Sequence, residues 1–170
     1  MGETTRKAMR NAQCVMRNDS ERVESRVAFR RMTEDDAPAL VAIERKCFDK
    51  RDAWRRSYFI SAAMDWQSEY LVAEVDGKIV GCAGAEISPD AAEIQTISVD
   101  PDYHGQGIGT QLFAKLLAAI RERGATLVYL EVRPSNTPAI ELYEKFGFSG
   151  GAQIENFYRN EDALIMFKAF

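Results

Sequence analysis

The residues best placed to do chemistry fall in the second half of the chain. The stretch Ile97-Ser98-Val99-Asp100-Pro101-Asp102-Tyr103-His104-Gly105-Gln106-Gly107-Ile108-Gly109-Thr110 runs from an apolar strand through a turn into a glycine-rich loop, and then into a long amphipathic helix. Alternating glycines let the backbone approach a ligand and aim successive N–H groups the same way. A helix N-terminus adds unpaired N–H donors and partial positive charge, so the stretch reads as an anion site, most naturally for phosphate. It is not a P-loop, because no Gly-Lys-Ser/Thr follows. It is a poor dinucleotide fingerprint, because the preceding strand belongs to a meander and no ribose-binding acid sits on a following parallel strand.

Two further side chains stand out. Glu131 sits in an apolar strand between Leu130 and Val132. Period-2 alternation points its carboxylate away from theirs, onto either a solvated face or a site. Tyr143 lies on the apolar face of a helix, where it is either a core residue or a proton donor. In both roles a buried hydroxyl wants a partner.

Bulk properties bound the rest. With 170 residues, 46% hydrophobic and 28% charged, the chain is expected to form one folded domain with a real core. The net charge of -4 gives no basic field for nucleic acid. Residues 1–26 carry six Lys/Arg against four acids, net +2, which leaves -6 on the remainder. An acidic body suits a cationic substrate, although a solvated acidic surface gives the same numbers. Cys14, Cys47 and Cys82 form neither a metal pattern nor a disulfide framework, so no metal is expected and a reducing, cytoplasmic setting is. No apolar run is long enough to span a membrane.

The elements that must position these residues follow from periodicity. Residues 1–26 are expected to be a flexible tail with a short helix near Arg17–Val23, and 27–170 a single domain. Val27–Met32 reads as a strand, and Thr33 as the cap of a helix reaching about Phe48. A charged loop, Asp49–Asp52, leads to a second helix over Ala53–Trp66. Tyr70–Val75, Asp76-Gly77 and Lys78–Ile87 form a hairpin signal with a type I′ turn, and Glu93–Val99 adds a third strand. Ile108, Leu112, Leu116, Leu117 and Ile120 make the apolar face of the helix after the glycine loop, which Gly124 ends. Thr126–Val132 is a strand, and Asn136-Thr137-Pro138 opens a helix stopped by Gly147. Gln153–Tyr158 and Ala163–Phe170 close the chain as two strands. The order predicts a mixed α/β domain.

Val99-Asp100-Pro101-Asp102-Tyr103, Gly107-x-Gly109, Leu130-Glu131-Val132-Arg133-Pro134-Ser135-Asn136, Ala139–Tyr143 and Phe146-Gly147-Phe148 together resemble the GNAT superfamily of acetyl-CoA-dependent N-acetyltransferases. The resemblance spans roughly Val27 to Phe170 and implies a mostly antiparallel central sheet flanked by four helices. Leu130–Asn136, Tyr143 and Asn156–Met166 are most similar to its RimI-type branch, which acetylates the N-terminal α-amino group of a ribosomal protein.

Carried over, the resemblance implies that Ile97, Ser98 and Val99 hold the pantetheine arm of acetyl-CoA through the backbone. Gly105, Gln106, Gly107, Ile108, Gly109 and Thr110 would wrap its pyrophosphate, and Asn136 would contact it beside the thioester. Glu131 would be the general base and Tyr143 the general acid of a direct transfer to a protein N-terminus. The family usually has Gln or Arg where His104 stands, and the branch an aromatic-Pro-Trp element where Asp49–Trp54 lacks proline. A small amine or a lysine side chain is the alternative acceptor. An acyl-CoA-binding regulatory module is the alternative without catalysis. A monomer or weak dimer, with no specific nucleic acid and no membrane, is the expected state.

Overall fold

The computed structural model describes residues 27–48, 53–158 and 161–170. The expected tail, the loop Asp49–Asp52 and residues 159–160 of the last turn lie outside the described residues. Eleven regular elements follow in the predicted order: β1 (Val27–Arg31), α1 (Ala37–Cys47), α2 (Arg56–Met64), β2 (Ser68–Val75), β3 (Lys78–Ile87), β4 (Ala91–Val99), α3 (Ile108–Glu122), β5 (Leu127–Val132), α4 (Thr137–Lys145), β6 (Ser149–Tyr158) and β7 (Glu161–Ala169).

The seven strands form one sheet in the order β1-β2-β3-β4-β5-β7-β6. Every pair is antiparallel except β4–β5. The β2–β3 turn takes its geometry from Asp76 and Gly77, at φ 51° and 78°, which is the type I′ requirement. The sheet is covered on both faces. Ala83, Ala85, Ile94, Ile97, Val99, Val128, Leu130 and Val132 share a core with the apolar faces of α3 and α4. Tyr70, Val72 and Cys82 pack on the other face with Leu40 and Ile43 of α1 and Phe59 of α2.

The second helix is shorter than its composition suggests. Trp54 is held outside it, its backbone N–H donating to Glu44 Oε2 at 3.2 Å and its ring buried. At the other end Asp65 is extended and accepts from Gln67 N and Ser68 Oγ at 3.0 Å each, which turns the chain into β2. A tertiary bond to α1 thus holds the chain before α2, and a local Asp65 turn ends it.

One close approach fixes the face that carries α2. A Cβ added at Gly84 would lie 2.0 Å from the Tyr70 ring, whose hydroxyl is 2.6 Å from that of Tyr58 on α2. Gly84→Ala is expected to lower stability by about 1–3 kcal/mol through overpacking. Chemical denaturation checks this, and an unchanged midpoint contradicts the packing.

Candidate active site

Strands β4 and β5 pair only over Ala91–Leu127, Ala92–Val128 and Glu93–Tyr129. Beyond that point β4 runs on to Val99 and β5 to Val132 without bonding each other. β4 keeps its ladder to β3 as far as Val99 opposite Gly81, with a register shift that leaves Gln95 unpaired between Ile94 and Thr96. The edge of β4 turned toward β5 thus offers alternate backbone groups to a gap in the sheet. Ile97, Ser98 and Val99 line this stretch, all with buried side chains, so what they can offer a ligand there is backbone.

The gap leads to the glycine loop. Asp100 accepts from Asp102 N to start a short 3-10 turn, and Lys46 on α1 clamps its carboxylate at 2.8 and 2.9 Å. Gly105 and Gly107 follow at φ 78° and 71°, in the left-handed region that favours glycine. Gly107 caps α3, and a Cβ built there would meet nothing within 4 Å. Ile108 and Gly109 are buried beneath the first turn, with Gln106 and Thr110 half-buried at its edge. Positive φ, open space in front and a helix N-terminus behind make the stretch from Gly105 to Thr110 fit for an anion such as phosphate. His104 Nε2 donates to the Val99 carbonyl at 2.9 Å, which turns the ring onto the end of β4. Cys47 Sγ lies 3.3 Å from the same oxygen.

Glu131 lies on β5 just past the last β4–β5 pair, on the α1–α2 face of the sheet. Its Oε2 is buried without a hydrogen-bond partner among the described residues. Burial first, and the Glu93 carboxylate second, push its carboxyl up to about 8. Glu93 accepts from the Tyr129 hydroxyl at 2.9 Å. These two side chains, with Asp65, Gln67, Glu86, Ile87 and Ser88, line a pocket of about 260 Å³. Burial, then Glu93, then Asp65 also raise the Glu86 carboxyl. The pocket is acidic, with no Lys or Arg in its wall.

Tyr143 sits on the opposite, α3–α4 face and is buried. Its ring lies 5.4 Å from Phe113 and 5.9 Å from Phe148. Burial, then Tyr158, raise its hydroxyl far above the ordinary tyrosine range, so it stays protonated. Tyr158 is buried, with the Arg133 guanidinium 4.0 Å over its ring. Asn136 is buried at the end of β5, where its Oδ1 accepts from Ala139 N at 3.4 Å as the cap of α4. The β4 edge and Glu131 thus flank one gap, β4 leads on into the glycine loop, and Tyr143 lies on the opposite face of the sheet.

Sequence reasoning missed Glu93 and Tyr129. The signals were available: Glu93 is an acid inside a β-rich run, as Glu131 is, and Tyr129 shares the Glu131 face by alternation. It also missed Phe113, fully buried on α3 and 5.0 Å from Phe146. Among the described residues no group of His, Cys, Asp or Glu could hold a metal ion.

Comparison with known proteins agrees with this fold. Residues 29–148 match the family described as "Acetyltransferase (GNAT) family". A Bacillus subtilis protein named putative [ribosomal protein bS18]-alanine N-acetyltransferase is 36% identical over 147 residues, covering 85% of this chain and 96% of that protein. The N-alpha-acetyltransferase RimI of Mycobacterium tuberculosis is 34% identical over 141 residues, covering 79% and 87%. The crystal structure of the Escherichia coli ribosomal-protein-S18-alanine N-acetyltransferase superposes with a TM-score of 0.78 at 31% identity, covering 84% of this chain and 93% of that one. The chain belongs to the GNAT family of N-acetyltransferases.

Proposed function

We propose that this enzyme transfers acetyl from acetyl-CoA to the N-terminal α-amino group of a protein, a ribosomal protein being the class of substrate favoured. The observation that carries the reading is Glu131: a carboxyl with a buried, unpartnered oxygen, beside an acidic pocket, at the point where β4 and β5 part. The relatives above are named for this reaction, which supports the choice of acceptor. When bound, acetyl-CoA supplies the activated acetyl thioester. Ile97, Ser98 and Val99 would hold the pantetheine arm through the β4 backbone edge, the loop from Gly105 to Thr110 the pyrophosphate, and Asn136 the thioester end.

An α-ammonium has a pKa of about 8, so a carboxyl poised near the same value is matched to accept its proton. Glu131 takes that proton directly or through one water. A backbone N–H of the β4 edge polarises the carbonyl, and Tyr143 Oη donates to the departing sulfur. Cys82 is fully buried and its thiol is pushed up by that burial, so it is no nucleophile. Among the described residues no helix is long and apolar enough to cross a membrane. We place the reaction in the cytoplasm.

The test is release of CoA thiol with a panel of acceptors. Turnover on Ala- or Ser-initiated peptides is expected. Turnover confined to polyamines or free amino acids overturns the reading. The loop has its own test. Gly107→Val forces a β-branched residue to φ 71°, a strain of roughly 1–2 kcal/mol, and is expected to raise the KM for acetyl-CoA about tenfold. An unchanged KM removes the loop from the cofactor site.

A further inference from the structure

The acidic side of the gap holds a second carboxylate that the mechanism above does not use. Glu93 is the last β4 residue paired to β5, directly opposite Tyr129. The 2.9 Å bond from the Tyr129 hydroxyl puts the Glu93 carboxylate on the Tyr129 face, which is also the Glu131 face two residues further on. Glu131 Oε2 has no partner there.

We propose that Glu93 is a positioning residue: held by Tyr129 on the face it shares with Glu131, it steers the incoming ammonium group onto the Glu131 carboxylate. The proposal rests on the reading above only in calling that cation an α-ammonium, since the pair would serve any primary amine.

The groups around Glu131 leave this role to Glu93. On the shared face β3 contributes Glu86, opposite Glu93, and β5 contributes Tyr129. Asp65, from the turn after α2, lies in the same pocket. Tyr58 on α2 is engaged with Tyr70. β7 brings Ala163, Ile165 and Phe167 to that face, none of them charged. Arg133, two residues past Glu131, faces Glu161 at 3.5 Å and the Tyr158 ring. Glu93 is the neighbour whose charge most raises the Glu131 carboxyl after burial. The Glu93 charge raises the carboxyl of Glu131 beyond what burial alone does, so Glu131 keeps its proton until a cation enters between them. The cation then releases it, and Glu131 becomes the acceptor when the amine has arrived.

The full chain with Glu93→Gln or Tyr129→Phe tests this in two ways. Carbon-13 NMR titration of the Glu131 carboxyl, without any substrate, should show its midpoint falling by on the order of one pH unit in Glu93→Gln. Steady-state kinetics on whichever amine the wild type acetylates should show KM for that amine rising roughly tenfold with kcat much less affected. Tyr129→Phe should move both readings the same way by smaller amounts, because the charge remains but its anchor is gone. An unmoved Glu131 midpoint in Glu93→Gln, or an unchanged amine KM, overturns the proposal. Wild-type enzyme inactive on every peptide N-terminus would instead overturn the N-α-acetylation reading, and the titration would still decide the role of Glu93.

Discussion

Glu131→Gln is expected to lower kcat on a peptide acceptor by about 10²–10⁴-fold, the range for losing a positioned general base. The substitution keeps shape and loses only the ability to take a proton. Its effect on stability has the opposite sign. The Glu131 carboxyl is raised in the folded state, from 4.5 to about 8, by burial and then by Glu93. A raised carboxyl favours the native state only while protonated. Its contribution is therefore fully present below its unfolded value and is lost as pH rises toward the folded one. At pH 8–9 the wild type carries a buried charge that the glutamine variant lacks. Glu131→Gln should consequently melt at a higher temperature than wild type at that pH, with the difference shrinking toward pH 4. Loss of activity with gain of stability separates a chemical role from a structural one. In the wild type, kcat/KM should climb with pH through a midpoint near 8. The variant should keep only the limb that belongs to the substrate amine.

Tyr143→Phe should lower kcat by about 10²-fold, the lower end for a general acid, because a thiolate departs more readily than an alkoxide or amide. The ring packs on Phe113 and Phe148. Phenylalanine keeps that packing and removes only the hydroxyl. Thermal stability should stay within about 0.5 kcal/mol of wild type or rise slightly. A wild-type kcat in Tyr143→Phe would assign Tyr143 to the core alone. A large drop in stability would mean that the hydroxyl is tied to the protein rather than offered to a ligand.

Much of this architecture was legible because its signals are local. The Asp76-Gly77 turn, the stripe on α3 and the glycines after α3 and α4 each act through neighbours in the chain. The point at which β4 separates from β5 was not legible from the residue pattern. It depends on which strand lies beside which, and nothing in Ala91–Val99 or Leu127–Val132 announces that pairing stops after Glu93. Alternation could flag Glu93 and Tyr129 singly, but their meeting was hidden for the same reason: they are 36 residues apart and come together only through the parallel pair. Alternation set the face of Glu131 correctly, yet it could not tell solvent from a buried site. The absence of a partner for Oε2 and the burial of Tyr143 and Tyr158 are facts of packing, visible only in three dimensions.

The central claim is that the acetyl group goes to a protein α-amine. The most direct measurement is fragment-ion mass spectrometry of an Ala-initiated peptide that also carries an internal lysine, after incubation with this enzyme and acetyl-CoA. A single acetyl group on the first residue, with lysine untouched and no transfer by Glu131→Gln, is the predicted result. Acetyl found on the lysine ε-amine with the N-terminus free would contradict it.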